Sequence, residues 1–173
     1  MASAADRRMF WGTAGLVVVL DIFTKVLAEA RLLRSSGVEV LGDWIQLRLV
    51  YNPGAAFGLN VGPYSRWIFL GIALLAVVVL YRMSERSPGG DLVRQLALGA
   101  VTGGAFGNLV DRLRNPQGVV DFLDVGFGTL RWPTFNVADI AVSCGALLLA
   151  ISLWREDARR ADEAATSQSI TPV

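Results

Sequence analysis

Four apolar stretches, each long enough to form a membrane-spanning helix, dominate the pattern of hydrophobic and polar positions. A bilayer core is crossed by about 20 mostly apolar helical residues. Asp21 and Lys25 interrupt the first stretch, whereas the second has no charge between Trp67 and Tyr81. The predicted spans cover residues 9–30, 63–83, 92–111 and 136–154. The pattern therefore predicts an all-α membrane protein with four transmembrane helices.

The two longer connections, residues 31–62 and 112–135, have a different pattern. Apolar and polar residues mostly alternate from Ile45 to Tyr51, which is typical of a strand, and Val119 to Val125 is a second short β-like run. Both connections lie on the same side of a four-span arrangement. We therefore expect the two outer loops to form a small β-rich extracytoplasmic cradle on a single domain of residues 1–155. The polar tail, residues 156–173, is expected to be disordered.

Composition supports contact with lipid and excludes several kinds of chemistry. Of the 173 residues, 53% are hydrophobic and 18% are charged, against about 25% charged in ordinary soluble domains. A net charge of +1 provides no basic field for nucleic acid. The absence of histidine excludes histidine triads and the usual zinc sites. The one cysteine, Cys144, is expected to pack among small residues in the fourth span.

The positions of the charged residues indicate only weakly on which side of the membrane the termini lie. An even number of spans puts both termini on one side, and arginines divide almost evenly between the two sides. Arginines beside the short connection and the termini should weigh more, which favours cytoplasmic termini. The N-terminus imitates a secretory signal peptide, because Arg7 and Arg8 precede an apolar run. Asp21 and Lys25 would interrupt such a signal, so we expect a retained first span.

Ionisable side chains cluster where the third span ends. Helical spacing puts Asn108, Asp111 and Arg112 on one face with Gly104. We interpret Asp111 and Arg112 as an ion pair that holds the outer loops. A ridge of glycines at every fourth position predicts close helix packing and comprises Gly99, Gly103 and Gly107.

The fourth span opens with a capping pattern that also supplies a carboxylate. Asn136 is a good N-cap residue, and Asp139 stands where it could bond the first turn. The preceding loop can fold back so that Asp121 or Asp124 meets Asp139. Two close, partly desolvated carboxylates share one proton, and such a pair can activate water and protonate a leaving amine. Spacing does not decide which loop aspartate is the partner.

Two other readings compete with an enzyme. Asp21 precedes Lys25 by four residues, the favourable order for a helical ion pair inside the bundle. Together with Asp111 and Asp139 this pair could instead form a transporter or proton relay. Alternatively, the protein is a non-enzymatic assembly factor whose carboxylates clamp the loops.

Five motifs in order resemble one family closely, that of the lipoprotein signal peptidases, also called signal peptidase II. They extend over most of residues 10–155, without a departure at any motif position. The matching segments are Asp21-Ile22-Phe23-Thr24-Lys25, Asn52-Pro53-Gly54-Ala55-Ala56-Phe57-Gly58, Gly103 to Arg112, Val119-Val120-Asp121-Phe122 and Phe135-Asn136-Val137-Ala138-Asp139.

The resemblance implies an aspartic endopeptidase of the bacterial cytoplasmic (inner) membrane, with cytoplasmic termini and its active site at the extracytoplasmic face. The implied substrate is a prolipoprotein whose lipobox cysteine carries diacylglycerol, and the implied cut precedes that cysteine. The implied partners are these lipid-modified prolipoproteins and membrane lipids, with no nucleic acid, no metal and no cofactor. A monomer is expected, as is sensitivity to globomycin.

The resemblance also assigns roles to individual residues. It identifies Asp121 and Asp139 as the catalytic pair and makes Asp124 a bystander. Asn108 or Asn136 could then donate an amide hydrogen to the oxyanion. Site-lining positions that bind substrate are Asn52, Gly54, Asn108, Arg112 and Asn136, and the positions that support the fold are Asp21, Lys25 and Asp111.

Overall fold

Four long helices and a small antiparallel sheet make up the described part of the protein. The computed structural model describes residues 2–34, 37–54, 59 and 61–170, with side chains described as far as 161 and at 163. The helices are α1 (Ala4–Arg31), α2 (Ser65–Arg86), α3 (Leu92–Arg114) and α4 (Val137–Ile170). The strands are β1 (Val38–Leu41), β2 (Ile45–Asn52), β3 (Val119–Phe127) and β4 (Leu130–Arg131).

The outer connections form the cradle expected from the sequence. The strands pair antiparallel in the order β1-β2-β3-β4, and the two predicted strand runs lie within β2 and β3. Strands β1 and β4 were not predicted, because four and two residues are too few to show an alternating pattern. The end of α1 packs against the sheet through Ala28, Leu32, Leu49, Val120 and Phe122. This cluster fixes β3, and with it Asp121, over the helix ends.

Among the described residues, three helices meet the criteria of length and hydropathy for crossing a membrane, whereas four spans were predicted. They are α1, α2 and the part of α4 from Val137 to Ala161. The third helix, α3, is long enough at 23 residues but does not reach the same hydropathy. Its place in the fold explains the difference. It packs against the other three helices, so its buried face carries glycines and polar residues such as Gln95 and Thr102 instead of large apolar side chains.

Glycines bring the backbones of α1 and α4 close to α3, which confirms the packing role of the glycine ridge. A Cβ atom on Gly103 would lie 2.7 Å from the backbone oxygen of Ala14 in α1. On Gly104 it would lie 2.5 Å from the oxygen of Ala138 in α4. Both distances are shorter than van der Waals contact, so larger residues would push the helices apart. The approach at Gly104 is the one that brings the start of α4 beside Asn108.

The outward faces of the helices carry large apolar side chains. Leu16, Phe23, Leu75 and Leu147 are each at least 60% exposed. A water-soluble protein of this size would not expose so many such residues over several helices. The outer faces are therefore suited to lipid, in agreement with the long apolar helices.

The C-terminal segment differs from the expected disordered tail. Helix α4 does not end with the predicted span at 154 but continues to Ile170. Residues after Trp154 are rich in alanine, glutamate and arginine, which favour helix, and Arg160 pairs with Glu156 one turn earlier. A polar sequence is thus compatible with an extended helix once the apolar span has nucleated it.

Candidate active site

Asp139 both caps α4 and faces a cavity. Its Oδ2 accepts a hydrogen bond from the backbone N–H of Asn136 at 3.2 Å, while Asn136 Oδ1 accepts from the N–H of Asp139 at 3.0 Å. This reciprocal capping box confirms the local role that the sequence suggested. Asp139 Oδ1 accepts from Asn108 Nδ2 at 2.9 Å, so the same carboxylate also connects α4 to α3. Capping and a chemical role are therefore not exclusive here.

Asp121 lies on β3 opposite Val50 and is only 3% exposed. Its Oδ1 accepts from Asn136 Nδ2 at 2.6 Å, and its Oδ2 accepts from Asn52 Nδ2 at 3.3 Å. Asp124, the other loop aspartate, is held away by Arg131 at 2.7 Å and Arg48 at 3.5 Å.

Two asparagines connect the two aspartates. Asn136 Nδ2 donates to Asp121 and lies 3.2 Å from Asn108 Oδ1, while Asn108 Nδ2 donates to Asp139. Lys25 Nζ donates to the same Oδ1 of Asn108 at 2.9 Å. An ammonium group can only donate, so it fixes the orientation of the Asn108 amide and directs its N–H groups towards Asp139. Lys25 therefore positions a donor at the site although its own side chain is fully buried.

Lys25 lies at the centre of a buried charge cluster. Its ammonium is 2.7 Å from Asp21 Oδ2 and 2.9 Å from Asp111 Oδ2, which confirms the ion pair expected in α1. With Asn108 this makes three acceptors for three N–H groups. All three N–H groups are therefore used in holding α1 and α3 together. We interpret the cluster as a structural clamp.

The clamp connects helices to the sheet. Asp21 Oδ1 accepts from the backbone N–H of Ala138 at 2.9 Å, and Asp111 Oδ2 accepts from the N–H of Val120 at 3.1 Å. Ala138 and Val120 each immediately neighbour a site aspartate in the chain. The three positions expected to support the fold thus hold the backbone on which the two carboxylates stand.

The expected ion pair between Asp111 and Arg112 does not form. Asp111 pairs with Lys25 and Arg114 instead, because adjacent helical residues point in different directions. Arg112 donates to the backbone oxygen of Gly54 at 2.8 Å and of Asn108 at 3.0 Å. It therefore ties the Asn52 motif to the end of α3. Residues 55–58 of that motif lie outside the described residues.

A cavity of about 430 Å³ brings these groups together. It is lined by Asp121 and Asp139, and by the predicted positions Asn52, Asn108 and Arg112. Gly54 and Asn136 lie behind this wall and bond to its members. Among the described residues, no group of three or more cysteine, aspartate or glutamate side chains is arranged to hold a metal ion.

The sequence did not reveal the remaining wall of the cavity. Trp132, Thr134, Ile140 and Cys144 line it. Trp132 and Thr134 follow β4, in a loop that matched no motif. Cys144 is exposed rather than packed in the bundle, so the expectation for this residue was wrong. The one sequence feature that these residues share is their position beside a motif. Trp132 and Thr134 precede the segment from Phe135 to Asp139, and Ile140 and Cys144 follow it in the first turns of α4.

The electrostatics of the cavity favour one retained proton. Burial, together with the charge of Asp139, raises the pKa of Asp121 to about 7, against the opposing effect of hydrogen bonds from Asn136 and Asn52. Desolvation and a nearby like charge both disfavour an ionised carboxylate. The Asp121 carboxyl group can therefore retain a proton near neutral pH.

Comparison with known proteins identifies the family of this chain. The family profile described as Signal peptidase (SPase) II matches residues 13–155. The chain belongs to the signal peptidase II family. The "Lipoprotein signal peptidase" of Treponema pallidum (strain Nichols) is 42% identical over 152 residues, covering 83% of this chain and 82% of the relative. That of Rhodococcus jostii (strain RHA1) is 41% identical, covering 84% and 72%.

A solved structure extends the similarity to the fold. It is described as "Bacterial membrane enzyme structure by the in meso method at 2.3 A resolution" and superposes with a TM-score of 0.77 at 28% sequence identity. The alignment covers 85% of this chain and 88% of that one. Membership of the signal peptidase II family makes the protein a membrane peptidase.

Stability should depend on pH through Asp121. Because folding raises its pKa from 3.8 to about 7, the stability that its proton supplies is complete below pH 4 and is lost as pH rises through 7. Asp121→Asn removes this loss. We expect the variant to be more stable than the unmodified protein at pH 8, by at most about 4 kcal/mol, and nearly equal at pH 4. Thermal unfolding in detergent at both pH values measures the difference, and an equal gain at both would contradict the assigned cause.

Proposed function

We propose that the protein is an aspartic endopeptidase of the lipoprotein signal peptidase type, with Asp121 and Asp139 as its catalytic pair. The observation that carries the proposal is that both carboxylates line one cavity and are joined through the Asn136 and Asn108 amides. In addition, the pKa of Asp121 is raised to about 7. These are the properties that water activation by two carboxylates requires.

The hydrogen bonds and the burial of the two carboxylates favour a proton on Asp121. Asp139 stands in the first turn of α4 and accepts two N–H bonds, and a helix N-terminus favours a negative charge. Asp121 is the more buried of the two. The proton of the resting pair therefore belongs to Asp121, and the Asp139 carboxylate is the base.

The reaction then proceeds by general acid–base catalysis. Asp139 accepts a proton as water attacks the scissile carbonyl carbon, and the Asp121 hydroxyl donates to the carbonyl oxygen. The C–O bond forms first. The C–N bond then breaks as the leaving amine takes up the proton that Asp139 accepted from water, and the re-formed carbonyl group returns its proton to Asp121. Asn136 Nδ2 already contacts several acceptors, so the second N–H of Asn108 is the better oxyanion donor of the two expected. Arg112 and the Asn52–Gly54 segment flank the cleavage site and hold the substrate backbone.

The substrate we propose is a prolipoprotein whose cysteine already carries diacylglycerol, cut immediately before that cysteine. The names of the relatives support the substrate class. The apolar cavity residues Ile140 and Val142, together with the exposed apolar faces of the helices, suit acyl chains and a signal peptide. The cavity lies beside the outer sheet, where a lipid-anchored bond could meet water.

We further propose four membrane spans, cytoplasmic termini, and an active site at the outer face of the bacterial cytoplasmic membrane. Helix α3 has 23 residues, about 34 Å of helix, which is enough to cross a hydrocarbon core of about 30 Å. Because the other helices shield it, it does not need a strongly apolar surface. Both long connections then lie together on the outer side.

Cleavage of defined precursors tests the proposed function. The purified protein in detergent is given a precursor carrying diacylglyceryl-cysteine, and the products are identified by intact mass. We expect one new N-terminus, at the modified cysteine. A precursor with serine in place of that cysteine is the matched control and should stay intact. Equal cleavage of both precursors, or a cut elsewhere, would contradict the proposed specificity.

A further inference from the structure

An apolar groove of about 620 Å³ runs between α1 and α2, on the side of α3 away from the active-site cavity. Helices α1 and α2 barely contact each other, so α3 forms its floor. Val18, Val77 and Phe106 line its depth, and Trp11 and Tyr81 stand near its end. Within the part of the chain that the structure describes, no residue lines both this groove and the active-site cavity. We call it the α1–α2 groove.

The groove contains a polar group without a partner. Thr102 lines it and is 4% exposed, and its hydroxyl is buried without a hydrogen bond to any described residue. A buried polar group left unpaired costs free energy. An occupant that reaches this depth, or a water enclosed with it, would remove that cost.

A cluster of arginines adjoins the groove. Arg82, Arg86 and Arg94 line a neighbouring cavity of about 340 Å³, which we call the arginine pocket. Arg82 and Val78 line both cavities, so the two are continuous. Among the described residues, no acidic side chain lines either one.

The charge of the arginine pocket is only partly compensated. Arg94 pairs with Glu156 at 2.8 Å, but its Nε is buried without a partner among the described residues. Arg82 and Arg86 are exposed and form no ion pair with a described side chain. Guanidinium groups bind phosphate oxygens through directed pairs of N–H bonds. The pocket therefore favours a ligand whose headgroup contains a phosphate and has a net negative charge.

The position of both cavities relative to the membrane restricts the ligand further. The ring centroids of Trp11 and Tyr81 lie 5.8 Å apart in a tilted arrangement, and aromatic residues of this kind mark the membrane interface. Arg82 and Arg86 lie in the last turns of α2, at the end of the bundle away from the sheet. From Trp11 to Val18 the groove extends about 10 Å along α1 into the apolar zone.

We propose that these two cavities form a binding site for one anionic phospholipid. The phosphate lies against Arg82 and Arg86, and one acyl chain lies in the α1–α2 groove over Thr102. The chemistry combines a net negative phosphate with a hydrocarbon chain, as only a lipid does. The proposal is independent of the catalytic pair, because it uses none of the active-site residues.

Lipid titration of the detergent-purified protein, followed by native mass spectrometry and thermal unfolding, tests the site. We expect phosphatidylglycerol to bind and raise the unfolding temperature at concentrations where phosphatidylcholine does not. Each of Arg82→Gln and Arg86→Gln should weaken phosphatidylglycerol about fivefold, and the double variant about 20-fold, as expected for single charges beside an anionic lipid.

Two glycines of α1 provide a matched test of the groove. A Cβ on Gly15 or on Gly12 would meet no atom within 4 Å, but only Gly15 lines the groove. Gly15→Leu should fill the groove and abolish lipid retention, whereas Gly12→Leu should leave it unchanged. Three results would each overturn the proposal: equal binding of both lipids, unchanged affinity in the double arginine variant, or equal effects of the two leucine variants. Equally strong binding of glycerophosphate without acyl chains would also overturn it.

Discussion

Replacing either Asp121 or Asp139 by asparagine is expected to lower the cleavage rate of a lipid-modified precursor by about three orders of magnitude. Asparagine keeps the shape of the side chain but can neither accept the proton of the attacking water nor share one. General acid–base groups of this kind contribute about 10²–10⁴-fold to a rate. Losing one member disables the pair, so the double variant should be little slower than either single variant. The measurement is the single-turnover rate in detergent.

Asp124→Asn is the matched control, because Asp124 stands three residues from Asp121 on the same strand and is equally buried. It pairs with Arg131 and Arg48 and does not line the cavity. This variant should lose some stability but keep a rate within a few fold of the unmodified protein. If Asp121→Asn or Asp139→Asn cleaves at a comparable rate while normally folded, the two aspartates are not the catalytic pair.

Lys25→Met is expected to cost about 3–5 kcal/mol of stability. Methionine has a similar length but leaves the carboxylates of Asp21 and Asp111 buried without their cation. Removing one partner from a buried ion pair typically has a penalty of this size. The Asn108 amide would also lose the donor that orients it, so the cleavage rate should fall with stability. Thermal and denaturant unfolding in detergent measure the loss.

Two further variants test whether the loss of stability comes from leaving charges uncompensated in a buried site. Arg48→Gln breaks an ion pair in which the arginine side chain is 48% exposed, and it should cost at most about 1 kcal/mol. Adding Asp21→Asn to Lys25→Met removes one of the two uncompensated carboxylates and should recover part of the stability. If Lys25→Met were no more harmful than Arg48→Gln, the clamp would not hold the site together.

Local pattern was sufficient for most of the elements. Helical spacing alone predicted the Asp21–Lys25 pair and the capping box at Asn136 and Asp139, because both depend on residues within one turn. The glycine ridge of α3 predicted close packing for the same reason. The number of spans is not decided by hydropathy, since a shielded helix such as α3 and a lipid-facing helix differ in composition at equal length.

What the sequence by itself determined is the set of parts: apolar helices, two strand-forming loops, and motifs that resemble one peptidase family. Spacing left open whether Asp121 or Asp124 approaches Asp139, because the path of a loop depends on pairing with distant strands. Only the tertiary structure decided that Asp124 is bound to Arg131 while Asp121 faces the cavity. It likewise decided that Lys25 reaches Asn108 across 83 residues, since such contacts depend on how helices pack rather than on any local period.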